Sequence, residues 1–517
     1  MSSQSVGGNG NGPFAPENGH REPEKAPAIP GRALYSTLAW AGPRLARVGP
    51  LRRAAIGIAE RRLESWYESA LDAGLRPPGV DSDRHAVGKA ILHTLERALA
   101  ENRLCQSSVD KALSILIRGI IVNQGDWNAK GQFSARYGHN PPDLLLISPT
   151  KTCNLRCIGC YADSGPTREK LTWQVFDRLL GEAHDLWGLR FFVISGGEPL
   201  SYRDEGKTLL DAAAKYSDCF FMMYTNGTLI DDRMAARIAE LGNLMPAISL
   251  EGMKTRTDQR RGEGVFDQIV AAMTRLRREK ALFGASLTAT RLNAEEVLSE
   301  EVVSFLFEEM GILFAWLFHY MPIGRAYTLD LLPTPQQRLM LWTRTWELVR
   351  KRNYFIADFW DSGTASDGCI SAGREGGYMA VDWNGSVMPC VFAPYSPVNL
   401  NEAYEHGRTL NDVWAEPFFA HLRSWQREYG YKRTLTQEGA HRNWILPCPI
   451  RDHHAEFRQI VLEHEPEPVD ENAAQALLDP GYREGLEEYD QALAQIFDPL
   501  WEAEYMVRGV RDRKFRT

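Results

Sequence analysis

The sequence has no apolar run reaching the ~18 residues that a membrane-spanning helix needs, so a helical membrane span is not expected. Cysteine is scarce, at 8 in 517 residues, too few for a disulfide-dense scaffold. Positive charge is in deficit. Lys+Arg 59 against Asp+Glu 67 leaves a net charge of −8, which argues against a chain built to bind nucleic acid. Gly 43 and Pro 28 are far too few for a collagen-like repeat. A hydrophobic share of 44% excludes a wholly disordered chain. At about 150 residues per domain, the length suggests roughly three to four units.

The first 30 residues are rich in Gly, Asn, Pro and Glu and lack the basic start and apolar centre of a secretory signal. They read as a disordered tail on a cytoplasmic chain with reduced thiols. Residues 31–65 differ. Seven arginines (Arg32, Arg44, Arg47, Arg52, Arg53, Arg61, Arg62) face two acids (Glu60, Glu64), and apolar residues such as Leu51, Ile58 and Leu63 lie between them. This +5 segment leaves −13 for the rest. It reads either as a peripheral surface for anionic lipid on the inner face of the membrane or as an amphipathic helix packed on the protein's own acidic body. Residues 92–123 read as two further helical segments, which completes a helical N-terminal region over 31–125.

The cysteines matter by spacing. The apolar run Leu144-Leu145-Leu146-Ile147 suits a buried strand and leads into Cys153-x₃-Cys157-x₂-Cys160. Three thiolates gathered in one loop suit an iron–sulfur cluster with one open iron. Structural zinc more often takes two separated pairs, so a zinc site would need completing from far away. After this loop, strand-like and helix-like patterns alternate, which predicts a parallel α/β sheet. Strands are expected at 191–195, 220–225, 247–250, 285–290 and 316–320, with a helix over 172–187 and another capped by Asp231. With the first strand these make six βα units. Ligands in such barrels bind at the C-terminal strand ends, where the chain places Gly196-Gly197-Glu198-Pro199, Thr225-Asn226-Gly227, Ser249-Leu250-Glu251 and His319-Tyr320-Met321.

The three-cysteine segment resembles the signature of the radical S-adenosylmethionine superfamily. The resemblance implies a six-unit partial TIM-type barrel over 126–330. It implies a [4Fe–4S] cluster on Cys153, Cys157 and Cys160, and S-adenosylmethionine on its open iron. In that family one electron cleaves the sulfonium, and the resulting 5′-deoxyadenosyl radical abstracts hydrogen from a substrate C–H bond. Gly196, Gly197, Glu198 and Pro199 resemble the motif that holds the methionine amino group. Ser249 and Glu251 occupy the places of a ribose-binding pair. Arg261 matches an arginine that faces the carboxylate, and Asn226, Thr290 and Met321 stand at further cofactor contacts. The family's aromatic residue before the third cysteine is Gly159 here, with Tyr161 able to supply a ring from the other side. His319, Tyr320 and Arg325 are candidate substrate contacts.

Beyond a connecting helix and loop (331–368), Cys369, Cys390 and Cys448 recur around an expected hairpin turning at Asn384-Gly385. Residues 369–452 resemble the SPASM or twitch extension, which implies at most one auxiliary cluster. Its fourth ligand would be substrate, solvent or a side chain such as Asp452, His453 or His454. Residues 461–500 hold eleven acids and one arginine and, within a tail over 453–517, read as a solvated helical segment, or as one that packs against the basic N-terminal segment. A small reductant protein such as ferredoxin or flavodoxin is the implied partner. The substrate is either a peptide, as for many relatives with such extensions, or a lipid, as the basic segment suggests. An iron–sulfur electron carrier or sensor is the non-enzymatic alternative. A carrier has no use for the nucleoside-binding strand ends.

Overall fold

The computed structural model describes residues 49–115, 124–371, 373–437 and 441–515. The expected tail, the first half of the basic segment and Leu116 to Asn123 lie outside the described residues.

Seven strands run parallel in chain order: β1 (Leu144–Ile147), β2 (Phe191–Ile194), β3 (Phe220–Thr225), β4 (Leu244–Leu250), β5 (Gly284–Ala289), β6 (Ala315–His319) and β7 (Ile356–Asp358). Most are apolar on both faces, as strands covered on both sides must be. Helices return the chain between them. In the helix Trp173–Trp187, the Thr172 hydroxyl accepts from Val175 N, and Gly188, at φ 66°, ends it. Asp231 caps Asp232–Leu241 as expected, accepting from Met234 N at 2.7 Å.

Alternate strand residues serve two layers. Leu145, Ile147, Phe192, Ile194, Phe221 and Met223 pack outward into the main core with the helices. Each such fully buried side chain contributes about 1.5–3 kcal/mol. Leu146, Val193, Met222 and Ala247 belong to a second cluster on the inner face.

The C-terminal extension continues this sheet. β8 (Tyr378–Val381) pairs parallel with β1, and β9 (Ser386–Met388) pairs antiparallel with β8. The turn falls at Asn384-Gly385. Gly385 stands at φ 84°, and the Asp382 carboxylate accepts from Asn384 N and Ser386 N. The expected connector at 331–368 contains β7, a seventh parallel strand, so the sheet exceeds six units. β7 is three residues long, too short for any alternation to announce it.

The acidic segment is not a solvated tail. Its helices Glu471–Leu478 and Pro480–Leu500 bury Ala473, Ala476, Leu486, Leu493 and Phe497. Acids on the outer face conceal an apolar stripe that packs on Pro335–Glu347, with Phe497 edge-on to Trp342. The chain end reaches the N-terminal helices, where buried Arg511 pairs with Asp83 at 2.9 Å.

One buried cation ties the barrel to the extension. Arg338 donates to Asp361 Oδ1 (2.6 Å) and to both Asp452 oxygens (2.6 and 3.0 Å). Burial pushes Asp452 up, but Arg338 and Arg451 hold its carboxyl below the usual range. Arg338→Ala takes the ion-pair partner from buried Asp361 and leaves Asp452 with Arg451 alone, and is expected to cost about 3–5 kcal/mol in urea unfolding at neutral pH. Burial already pushes the Asp361 carboxyl up to about 6, and loss of Arg338 removes a cation that lowers both carboxyls, so the variant is relieved by protonation and this gap is expected to narrow as the pH falls below about 6. An unchanged unfolding midpoint would contradict the tie.

Candidate active site

The loop after β1 carries all three clustered cysteines, each partly exposed. Its backbone is held from several sides. Cys153 N donates to Gly165 O and Ile158 N to Arg260 O. The Arg325 guanidinium donates to Cys157 O (2.5 Å), to Ser164 O and to Asp163. Arg325, a candidate substrate contact by sequence, therefore braces the loop. Gly159 sits at φ 62°, and a Cβ there would stand 2.6 Å from the Tyr320 ring. The ring beside the loop thus comes from Tyr320 on the last barrel turn. Tyr161 points elsewhere: its hydroxyl meets Ser195 Oγ at 2.7 Å and accepts from Gly196 N.

The thiols are electrostatically linked. Burial lifts Cys153 to about 11 and also raises Cys157. Arg261 and then Arg260 pull Cys157 back down. Leu155 N and Asn226 Nδ2 donate toward Cys153 Sγ at 3.4 and 3.8 Å.

At the end of β2, Gly196 (φ 108°) and Gly197 abut the cysteine loop itself. A Cβ on Gly196 would lie 2.6 Å from Thr150 O, and one on Gly197 would meet Thr152 O. Glu198 is fully buried. Its carboxylate accepts from Thr225 Oγ1 (2.7 Å), Asn226 N (2.8 Å) and Leu200 N (3.1 Å), so it brackets the ends of β2 and β3. Burial raises its carboxyl despite these three bonds. Pro199 opens the short turn Pro199–Ser201.

Glu251, 1% exposed, is clamped by two arginines. Arg260 Nη1 reaches Oε1 at 2.6 Å, and Arg261 reaches Oε2 and Oε1 at 2.5 and 2.7 Å. Burial raises the Glu251 carboxyl, but the two guanidiniums win and hold it low. Burial works against the Arg261 charge, yet Glu251 and then Cys157 and Cys160 keep it above its usual value. Arg260 is a site residue that sequence reasoning passed over, although the Arg260-Arg261 doublet was its signal.

One cavity of about 210 Å³ opens among these elements. Cys153, Cys157, Cys160, Gly196 and Gly197 line it, as do Asn226, Ser249, Arg261, His319, Tyr320 and Met321. Glu198, Pro199, Glu251, Thr290, Arg325 and the three later cysteines are not among its lining residues. Thr290 instead turns its amide and hydroxyl to Asn293 Oδ1. His319 is fully buried, bonds Asp358 Oδ2 through Nε2 at 3.0 Å and stacks on Trp360.

Cys369, Cys390 and Cys448 approach one another behind this cavity. Burial raises all three thiols, Cys390 to about 11. Cys369 adds to the rise at Cys390 and Cys448, and Cys390 adds to that at Cys448. Donors lie beside two of the sulfurs. Ser371 N lies 3.4 Å from Cys369 Sγ, Phe392 N 3.4 Å from Cys390 Sγ, and the Tyr378 hydroxyl 3.0 Å from Cys390 Sγ. The side chains considered as a fourth ligand are engaged elsewhere. Asp452 binds Arg338 and Arg451, and His453 and His454 each hold a backbone carbonyl.

The barrel segment has relatives among known proteins. The Radical SAM superfamily model matches residues 147–285. Fe-coproporphyrin III synthase of Methanosarcina barkeri is 28% identical over 194 residues, 37% of this chain and 47% of that protein. Mycofactocin maturase MftC of Mycolicibacterium smegmatis is 28% identical over 293 residues, 53% of this chain and 69% of that one. The chain thus spans about half the length of the first of these relatives. Among solved structures, SuiB of Streptococcus suis bound to precursor peptide SuiA aligns over 66% of this chain and 84% of that one, with 17% identity and a TM-score of 0.49. Residues 147–285, which hold the cysteine loop and strands β2 to β4, thus match a radical S-adenosylmethionine domain, whose family members use a [4Fe–4S] cluster and S-adenosylmethionine.

Proposed function

We propose that the chain is an enzyme in which Cys153, Cys157 and Cys160 hold the [4Fe–4S] cluster and the β2, β4 and β6 ends hold S-adenosylmethionine. The observation that carries this reading is three thiols on the rim of one cavity that Arg260 and Arg261 also line. The donor set fits the group: soft sulfur ligands, an N–H aimed at Cys153 Sγ, and cationic side chains to offset negative charge. When bound, the pair supplies reductive cleavage to an adenosyl radical and hydrogen abstraction from a substrate C–H bond.

The chain's own residues bind and orient. Glu251 fixes the two guanidiniums so that Arg261 presents one charged edge to the rim, where a carboxylate would be received. Glu198 locks the β2 and β3 ends together, which keeps the backbone of Gly196 and Gly197 at the cavity. Tyr320 and Gly324 seat the loop. The lining is mostly apolar, which excludes water from the reacting centre. A small reductant protein supplies the electron. Cys369, Cys390 and Cys448, with donors on two of the sulfurs, suit one auxiliary cluster on the far side of the cavity wall.

The substrate we favour is a peptide, since two relatives of this domain are named as maturation proteins, MftC and SkfB. A lipid is the second reading. It is favoured by the helix Gly49–Ala73, which exposes Leu51, Ile58 and Trp66 beside Arg53, Arg61 and Arg62.

Anaerobically reconstituted full-length protein with dithionite and S-adenosylmethionine is expected to release 5′-deoxyadenosine. Cys157→Ala should lower release by about 100-fold or more, since an incomplete thiolate set does not hold the cluster. No release from wild type with a filled cluster would sink the enzyme reading. Iron counting is expected to give about eight per chain with two clusters, falling to about four in a Cys369→Ala/Cys390→Ala variant. An unchanged count would remove the auxiliary site. Gly159→Ala drives a methyl into the Tyr320 ring at a left-handed backbone position, so it is expected to cost about 1–3 kcal/mol and lower iron content. Full iron loading in that variant would contradict the close packing.

A further inference from the structure

The barrel is hollow. Along the strands, the side chains that face the helices are closed off completely: Leu145, Phe192, Phe221, Ile248 and Leu317 are each 0% exposed. Their neighbours on the opposite face, Leu144, Phe191, Tyr224, Thr288, Trp316 and Phe318, all keep accessible surface. In a barrel filled by its own side chains the inner layer is packed. Here the accessible surface of the inner layer lines the cavity described above. Leu144 and Phe191 are the first residues of β1 and β2, so the hollow runs from the cysteine loop to the far ends of the strands.

Its chemistry is uniform. Tyr224, Phe318, Phe359 and Phe392 form a chain of rings, with centroids 5.4 Å apart for Tyr224–Phe318, 5.2 Å for Phe318–Phe359 and 6.1 Å for Phe359–Phe392. Ile370 and Val391, each next to a later cysteine, close the wall toward the extension. The charged lining groups, Arg260 and Arg261, sit at the rim and are paired with Glu251. The polar groups inside include the hydroxyls of Ser249, Ser286, Thr288 and Tyr224, the Asn226 amide at the rim, and the His319 imidazole, which is already bonded to Asp358. Burial pushes the Tyr224 phenol well above its ordinary value, so it stays neutral. A charged group seated among these residues would be desolvated with no opposite charge to meet it.

We propose that this hollow is the substrate chamber and that it takes an uncharged apolar group, aromatic or branched-alkyl, with the Tyr224 hydroxyl as its hydrogen-bonding anchor. The placement rests on S-adenosylmethionine lying at the strand ends. The chamber then sets the group below the adenosyl carbon, between the two cysteine sets, and selects against Lys, Arg, Asp and Glu side chains and against lipid headgroups.

The test uses full-length reconstituted protein and 5-fluoroindole, followed by ¹⁹F NMR. Saturable binding is expected, with a bound signal that broadens when dithionite makes the cluster paramagnetic. Val193→Phe and Met222→Trp, which fill the hollow from two different strands, are each expected to weaken binding about tenfold or more, circular dichroism confirming that each variant is folded. Tyr224→Phe should weaken 5-fluoroindole about threefold and leave fluorobenzene unaffected. N-acetyl-leucinamide should displace the probe, and N-acetyl-lysinamide should not. Displacement by decanol at lower concentration than by N-acetyl-leucinamide would keep the chamber and assign its occupant to the alkyl chain of a lipid. Equal affinity for 4-fluorobenzoate, or indifference to both filling variants, would overturn the proposal. Release of 5′-deoxyadenosine is read on the same preparation. Release without probe binding overturns the chamber alone, whereas binding without release from cluster-loaded protein overturns the enzyme reading and leaves the hollow as an apolar binding site.

Discussion

The site depends on one contact, the packing of backbone on backbone where the cysteine loop crosses the strand ends. Gly197 N and Glu198 N donate to Thr150 O and Thr152 O at 2.8 Å each, and Arg325 N to Cys160 O at 3.0 Å. These short approaches leave no room for side chains. Gly196, Gly197 and Gly324 stand where a Cβ would meet loop carbonyls. The glycines after β2, which suggest close approach to a ligand, are thus needed first to seat the loop. Only then are the three sulfurs held at a common rim.

Around that seat, buried charges are paired rather than free. Glu251 bridges two arginines, Glu198 collects three donors, and Arg338 joins Asp361 to Asp452. Each carboxylate has a partner from another strand or helix, so removing one partner leaves a charge without compensation. This arrangement serves position more than stability. It fixes where the few cavity-facing polar groups stand and leaves the rest of the hollow apolar.

Much of this was legible in the sequence because it is local. The strands expected at 191–195, 220–225, 285–290 and 316–320 match β2, β3, β5 and β6 to within one residue at each end, since each is a short apolar run ending in polar residues. β4 begins three residues early, at Leu244, where Asn243 and Pro246 hide the alternation. The cysteine loop and the hairpin at Gly385 were equally readable from spacing and turn chemistry. What escaped is non-local. Nothing in Tyr378–Val381 announces a partner more than 230 residues earlier in β1. The carboxylates of Glu198 and Glu251 read as ligand-binding groups, and only the fold reveals the donors they already hold. The acids of 461–500 dominate that segment's composition and so mask an apolar stripe whose members recur only at helical spacing.

The central claim is that the thiols of Cys153, Cys157 and Cys160 present an open iron to S-adenosylmethionine at the strand ends. The most direct measurement is ¹⁷O electron–nuclear double resonance on the reduced full-length protein, with S-adenosylmethionine labelled in its carboxylate. A hyperfine coupling to the carboxylate oxygen is predicted in wild type and in the Cys369→Ala/Cys390→Ala variant. A fully loaded, reduced wild-type cluster with no such coupling would contradict it.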